Sequence, residues 1–239
     1  MSAIPAAMVL AAGLGTRMAP LTDTMPKALV PLNGKALIDH VLDRLALAGV
    51  ERAVVNVHHM AGRIEDHLSG RTSPVIEISD ERDLLLDTGG GVARALPMLG
   101  ADAFFIHNSD SVWSEGAWPC LEQMAEAWDP DRMDTLLLLA PKAATLGYDG
   151  RGDFDISADG AVARPDCGGP APFVFTGVSL ANPRLFEGAP EGKFSLNVLW
   201  DRAIAKGGVY GMRHEGVWMH VGTPDAVSQA EERMRREQG

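Results

Sequence analysis

Short apolar runs recur through the first 140 residues, at Ala7–Leu10, Ala53–Val57, Val75–Ile78, Ala103–Ile106 and Leu136–Leu139, each bounded by polar or turn residues. Their length and boundaries predict buried strands. Between them the apolar positions follow a helical period. Residues 36–48, ALIDHVLDRLALA, place Leu37, Val41, Leu42 and Leu45 on one face, and Gly49 supplies a stop. Segments 61–68, 91–99 and 118–128 read the same way. This alternation predicts an α/β fold: a doubly wound, mostly parallel sheet with helices on both faces. After Pro141 the pattern changes. RGDFDIS, GAVAR and FVFTGVSLA alternate like antiparallel strands, followed by a helix at about 195–206, two short strands and a charged helix from 224. The expected layout is a single domain, with a core over 1–140 and a small β-rich part plus closing helix over 141–239.

Composition narrows the chemistry. A chain of 239 residues, 46% hydrophobic, fits one domain, and one of this size buries roughly 70–75% of its unfolded surface without a staple. The net charge of −11 argues against a nucleic-acid partner, since such binding rests on clustered Lys and Arg. An acidic protein that holds phosphates must use a few placed cations, main-chain amides and a metal ion. Cys120 and Cys167 have no metal-ligand spacing and are expected as buried thiols in a reducing cytosol. The amino terminus, MSAIPAAMVLAAG, lacks the basic flank and long apolar run of a signal peptide, and no stretch is long enough to span a membrane. The expectation is a soluble cytoplasmic protein with no membrane partner, as a monomer or small homo-oligomer.

The candidate chemistry begins at VLAAGLGTRM, residues 9–18, where a strand runs into Gly13 and Gly15. A dinucleotide fingerprint needs a third glycine where Met18 stands, and an acidic residue at the end of the next strand, where the chain has Asn56-Val57-His58. A P-loop fails too, because Gly34-Lys35 is followed by Ala36. What remains is a pair of glycines that let amides approach oxygens closely, a fixed cation at Arg17, and a second at Lys27 behind Pro26. The glycines alone are equally well explained as a surface turn.

Taken whole, LAAGLGTRM…T…PKALVPL resembles the signature of the sugar-1-phosphate nucleotidylyltransferases, and LDTGGGV, NSDSVW, GRGDF, FTGVSL and VWMHVGT follow in the family's order, so the resemblance covers almost the whole chain. DTGGG, N-x-D-x-W and GRGDF are most similar to the branch that transfers uridylyl from UTP to N-acetylmuramate 1-phosphate in peptidoglycan recycling. The resemblance implies a Rossmann-like nucleotidyltransferase fold, with a nucleotide-binding first part and a sugar-binding second part. It implies attack by a sugar 1-phosphate oxygen on the α-phosphorus of a nucleoside triphosphate, expelling pyrophosphate. Two anions must meet, so placed positive charge does the work.

By the same resemblance, Ala12, Gly13, Gly15, Thr16 and Arg17 would cradle the leaving phosphates, and Lys27 would offset charge at the α-phosphate. Thr88 and Gly89, with Gly90 and Gly91, would wall the base. Asn108 would lie near sugar or metal, and Asp153 and Gly177 would contact the sugar. Asp110 would hold Mg²⁺ at the sheet edge, with Arg17, Lys27 and Asp110 forming the catalytic set. Relatives carry Trp-x-Asp-x-Gly-Thr where this chain has Trp218-Met219-His220-Val221-Gly222-Thr223. His220 either binds a metal, in which case Mn²⁺ suits it better than Mg²⁺, or contacts phosphate, or leaves the ion to Asp110. Arg164 is either a substitute for the family's sugar-phosphate lysine or a solvated side chain. Three rival functions stand beside the uridylyltransferase: a mannose-1-phosphate guanylyltransferase or similar enzyme, a nucleotide-sugar sensor without turnover, and, more distantly, a dinucleotide oxidoreductase.

Overall fold

The computed structural model describes residues 4–238, the side chains of Cys167 and Gln238 apart. A seven-stranded sheet forms the centre. Its strands are β1 (Ala6–Leu10), β2 (Arg52–Val57), β3 (Val75–Asp80), β4 (Phe104–Asn108), β5 (Thr135–Pro141), β6 (Phe173–Ala181) and β7 (Val209–Arg213). Their order is β7-β5-β6-β4-β1-β2-β3, and only β6 runs antiparallel to its neighbours. The sheet therefore draws strands from both sides of residue 140: β6 enters its middle and β7 its edge. The five apolar runs are strands, and the four helical segments of the first half are α1 (Leu37–Leu47), α2 (Ala61–Leu68), α3 (Asp87–Leu99) and α4 (Cys120–Ala127). Helix α5 spans Leu196–Ile204 and α6 spans Pro224–Gln238.

Alternation along β1 shows why both faces are covered. Ala7 and Val9 enter the core that holds Val41, Leu42 and Leu45 of α1, Ile64 of α2 and Met124 of α4. Ala6 and Met8 enter the opposite core, with Val92 and Ala95 of α3 and Leu199 and Trp200 of α5. A third, smaller cluster gathers Met18, Val30, Leu37, Val112, Met219 and Val227. Met18, which fills the position a dinucleotide fingerprint gives to glycine, is wholly buried there and anchors the glycine loop against α6.

Cys120 is buried, and burial pushes its thiol pKa up; Cys167's side chain and the first three residues of the amino terminus lie outside the described residues. Among the described residues no helix is long and apolar enough to cross a membrane.

One core residue makes stability pH-dependent. His107 on β4 is fully buried, stacks on Trp113 with 5.4 Å between ring centroids, and bonds through Nδ1 to the Asn108 carbonyl at 2.8 Å. Burial lowers its pKa to about 4. The unfolded ring takes up a proton near 6.5, which the folded ring refuses, so stability is full above that pH and falls as pH drops toward 4. The slope is about 1.4 kcal/mol per pH unit. Thermal unfolding from pH 7 to 4.5 should steepen more for the native chain than for His107→Gln; equal slopes would remove His107 as the cause.

Candidate active site

Three adjoining cavities open at the carboxyl edge of the parallel strands. The first, about 320 Å³, runs from Ala12 and Gly13 to Asn56, Glu81 and Thr88. The second, about 210 Å³, lies among Tyr148, Asp153, Gly177, Trp218 and His220. The third, about 360 Å³, is cupped by residues 13–18. Asn108 and Asp110 line the first and second, Gly13 and Lys27 the first and third, and Arg17 the second and third. Arg17, Lys27 and Asp110 thus stand at one junction.

The sheet brings them there. β1 and β4 pair in parallel with Leu10 opposite Asn108, and the Ser109 amide donates to the Leu10 carbonyl at 3.1 Å. The glycine loop and the Asp110 turn therefore leave the same edge, side by side, where open α/β sheets bind ligands. Lys27 forms an ion pair with Asp110, their side chains 16% and 22% exposed. The pair is accessible to substrate yet shielded enough to strengthen its field.

The loop is shaped by its two glycines in different ways. Gly15 has φ +66°, and a Cβ there would lie 2.9 Å from Lys27 Cβ and 3.0 Å from Thr22 Cγ2. Thr22 Oγ1 also donates to the Gly15 carbonyl at 2.9 Å, so loop, Thr22 and Lys27 pack as one unit. A Cβ on Gly13 would meet nothing within 4 Å, because that position faces open space. Among the described residues, the amides from Ala12 to Thr16 donate to no protein acceptor. A run of bare N–H groups beside Arg17 and Lys27 is an anion cradle.

The second cavity is built by residues far apart in sequence. Asp153 Oδ2 accepts the Phe175 amide at 2.9 Å, fixing the carboxylate to β6. The β5–β6 register breaks between Phe175 and Ser179. Within that break Gly177 (φ +87°) leaves room for Asn108, whose Nδ2 would lie 2.8 Å from a Cβ. A three-stranded sheet of Ser111–Trp113, Trp218–His220 and Thr145–Leu146 puts His220 opposite Ser111, next to Asp110. The ring folds back over Gly222, where a Cβ would be 2.6 Å from Nε2. Burial lowers the His220 pKa; Asp110 opposes the shift while Arg17 and Lys27 add to it. Burial thus favours the uncharged ring, the form of imidazole that can ligate a metal ion. Among the described residues no group of three or more His, Cys, Asp or Glu stands together as a metal site. One carboxylate and one imidazole suit an ion completed by substrate oxygens rather than a closed protein cage.

Two expectations change. The glycine triplet, expected to wall the base, is the glycine-rich start of α3, and the amides of Gly89 and Gly90 both donate to the Phe194 carbonyl, at 2.9 and 3.1 Å. Those amides are spent inside the protein, and Gly89 does not line the first cavity, whereas Thr88 does. Arg164 is no free cation: it pairs with Asp201 at 2.8 Å, bonds Asn197 and lies over the Phe154 ring.

Asn56, Glu81, Tyr148 and Lys193 were not singled out by the sequence patterns, yet all line the cavities. The signal for Asn56 is a lone amide inside the apolar strand RAVVNV. Its Oδ1 accepts the Ala11 amide at 2.7 Å, and its Nδ2 donates to Glu81 Oε1 at 2.7 Å. Glu81 is wholly buried, and its Oε2 accepts the Leu86 amide at 3.2 Å. This chain ties the root of the glycine loop to the approach of α3. Glu81→Gln leaves one donor facing another and should cost about 1–3 kcal/mol. Asn56→Asp alone sets two carboxylates together and should cost as much. The double variant reverses the bond's polarity with every donor matched, so its melting temperature and nucleotide KM should recover; additive losses would contradict the network.

Comparison with known proteins agrees with this geometry. Residues 7–150 match the family model of the MobA-like NTP transferase domain. The chain is 52% identical over 232 residues to a protein of Caulobacter vibrioides named N-acetylmuramate alpha-1-phosphate uridylyltransferase, covering 95% of this chain and 96% of that one. It is 35% identical over 228 residues to a protein of that name from Neisseria meningitidis serogroup B, covering 94% and 96%. A solved UDP-glucose pyrophosphorylase in complex with UDP-glucose superposes with a TM-score of 0.82 at 16% identity, covering 98% of this chain and 99% of that one, which establishes the shared fold.

Proposed function

The chain belongs to the sugar-1-phosphate nucleotidylyltransferases with a MobA-like NTP transferase domain, and from that premise we propose that it transfers uridylyl from UTP to N-acetylmuramate 1-phosphate, releasing pyrophosphate. The observation that carries this is the junction of three cavities at Arg17, Lys27 and Asp110. One cavity suits a nucleoside, one a sugar and one the departing phosphates. The substrate would place the enzyme in peptidoglycan recycling.

In this reaction an oxygen of the sugar phosphate attacks the α-phosphorus while the bond to the β-phosphate breaks. No proton need move, since the attacker is already an anion. Ala12, Gly13, Gly15 and Thr16, with Arg17, receive the β- and γ-phosphates through amides that the protein leaves bare. Lys27, held by Asp110, faces the α-phosphate and offsets the charge of two anions meeting. Thr88 lines the nucleoside end, and Asp153, Gly177 and Asn108 the sugar end. Asp110 and His220 are the residues that would hold a divalent ion. Bound there, it would neutralise phosphate charge and fix the reactants' orientation.

The test is pyrophosphate release across a panel of triphosphates and sugar 1-phosphates, with Mg²⁺ and with Mn²⁺. Turnover highest for UTP with N-acetylmuramate 1-phosphate is expected. A best pair of GTP with mannose 1-phosphate would replace this substrate assignment, and tight binding without release would replace the enzyme by a sensor. His220→Asp should raise activity with Mg²⁺ relative to Mn²⁺, because a carboxylate suits the harder ion. An unchanged ratio would remove His220 from the metal's shell.

A further inference from the structure

We propose that Lys193 is a third cation of this site, its backbone neighbours seated beside the nucleotide cavity by Gly89 and Gly90, and that it contacts the nucleoside triphosphate rather than the sugar phosphate. The proposal rests on the nucleotidyltransfer assignment above. It begins from a mismatch between the glycines and any ligand role: the amides of Gly89 and Gly90 are both taken by one carbonyl, Phe194. The space these glycines leave is filled as well. A Cβ on Gly89 would lie 2.4 Å from the Phe194 ring, and one on Gly90 would lie 2.2 Å from the Gly192 carbonyl oxygen. Gly89 and Gly90 are a seat for residues 192–194, while Gly91 makes room for Asn56 and Glu81.

Further bonds fasten the chain just after Lys193, while the Gly192 carbonyl before it packs on Gly90. The Phe194 amide donates to the Leu86 carbonyl at 3.1 Å, and the Leu196 amide donates to Thr88 Oγ1 at 3.0 Å. Phe194 itself is buried in the core shared with α3 and α5. Such stitching is what an exposed loop needs to hold a charged side chain in one place, since a free lysine loses much rotamer entropy on binding. Lys193 forms no ion pair or hydrogen bond with another described residue, although Glu81, Asp87 and Asp110 line the same cavity. Arg164, the alternative cation of the second half, is committed to Asp201.

The cavities decide the partner. Lys193 lines the one that holds Ala12, Asn56 and Thr88, and is absent from the one that holds Tyr148, Asp153 and His220. A lysine there adds a charge-assisted bond to a phosphate or carbonyl oxygen of the nucleotide.

The test is calorimetric binding of UTP with Mg²⁺ and no sugar phosphate, followed by steady-state kinetics. Lys193→Ala should weaken UTP about tenfold, the size of one lost charge-assisted bond, and leave the sugar-phosphate KM unchanged. Lys193→Arg should restore most of the affinity. Gly90→Ala should reproduce the UTP loss with Lys193 still present, because its methyl group displaces residue 192. Unchanged UTP affinity in Lys193→Ala, a loss confined to the sugar-phosphate KM, or a loss that arginine does not lessen would each overturn the proposal. Should Gly90→Ala fail to fold, the alanine–arginine pair still decides. Because UTP binding is read without turnover, a wrong sugar assignment leaves this measurement standing.

Discussion

Lys27→Ala and Asp110→Ala should each lower pyrophosphate release about a thousandfold, the upper end of what removing one preorganised charge costs a transition state. Neither should lower stability by more than about 1 kcal/mol. The asymmetry follows from position. The two side chains, 16% and 22% exposed, sit at the mouth of the sheet, where water can replace a lost partner in the resting protein. During the proposed transfer no water would replace them, because two phosphates would share the junction of cavities these side chains line. Activity and thermal melting measured on one preparation check this. Parallel loss of rate and melting temperature would make the pair a structural salt bridge.

Gly15→Ala should cut turnover about a hundredfold, consistent with small misplacements of reacting groups, and destabilise by about 1–2 kcal/mol through its left-handed backbone. Its methyl group would press on Lys27 Cβ at 2.9 Å and on Thr22, so the damage reaches Lys27 itself. Gly13→Ala makes the useful contrast. Its methyl group would enter open space, with no strained φ, leaving stability near native and raising mainly the KM for the triphosphate. Indistinguishable kinetics for the two variants would show that the loop moves freely and that Gly15 does not set Lys27.

These contrasts mark where sequence patterns were sufficient. Short apolar runs became strands because both sheet faces are covered, so Ala6 to Val9 are buried without exception. The signature residues converge because they sit at strand ends, and a parallel sheet gathers those ends on one edge. Long-range pairing was not legible. The alternation of FVFTGVSLA reads as an antiparallel strand, but nothing in it says that it lies between β4 and β5 in the central sheet, or that Gly177 yields to Asn108. DTGGG carried a true signal of close approach, but what approaches is Phe194, more than 100 residues away in the chain, and glycine spacing cannot name its neighbour. Asn56 and Glu81 were missed for a similar reason: a buried polar pair is visible only once β2 and the turn after β3 are side by side.

The most direct test of the central claim, that bare amides and two fixed cations at one sheet edge bring two anionic substrates together, is a crystal structure with UTP and a divalent ion bound. The account predicts the β- and γ-phosphates on the amides from Ala12 to Thr16 and on Arg17, with the α-phosphate at Lys27, the divalent ion at Asp110 and uracil near Thr88. A triphosphate bound elsewhere, with those amides left to solvent, would contradict it.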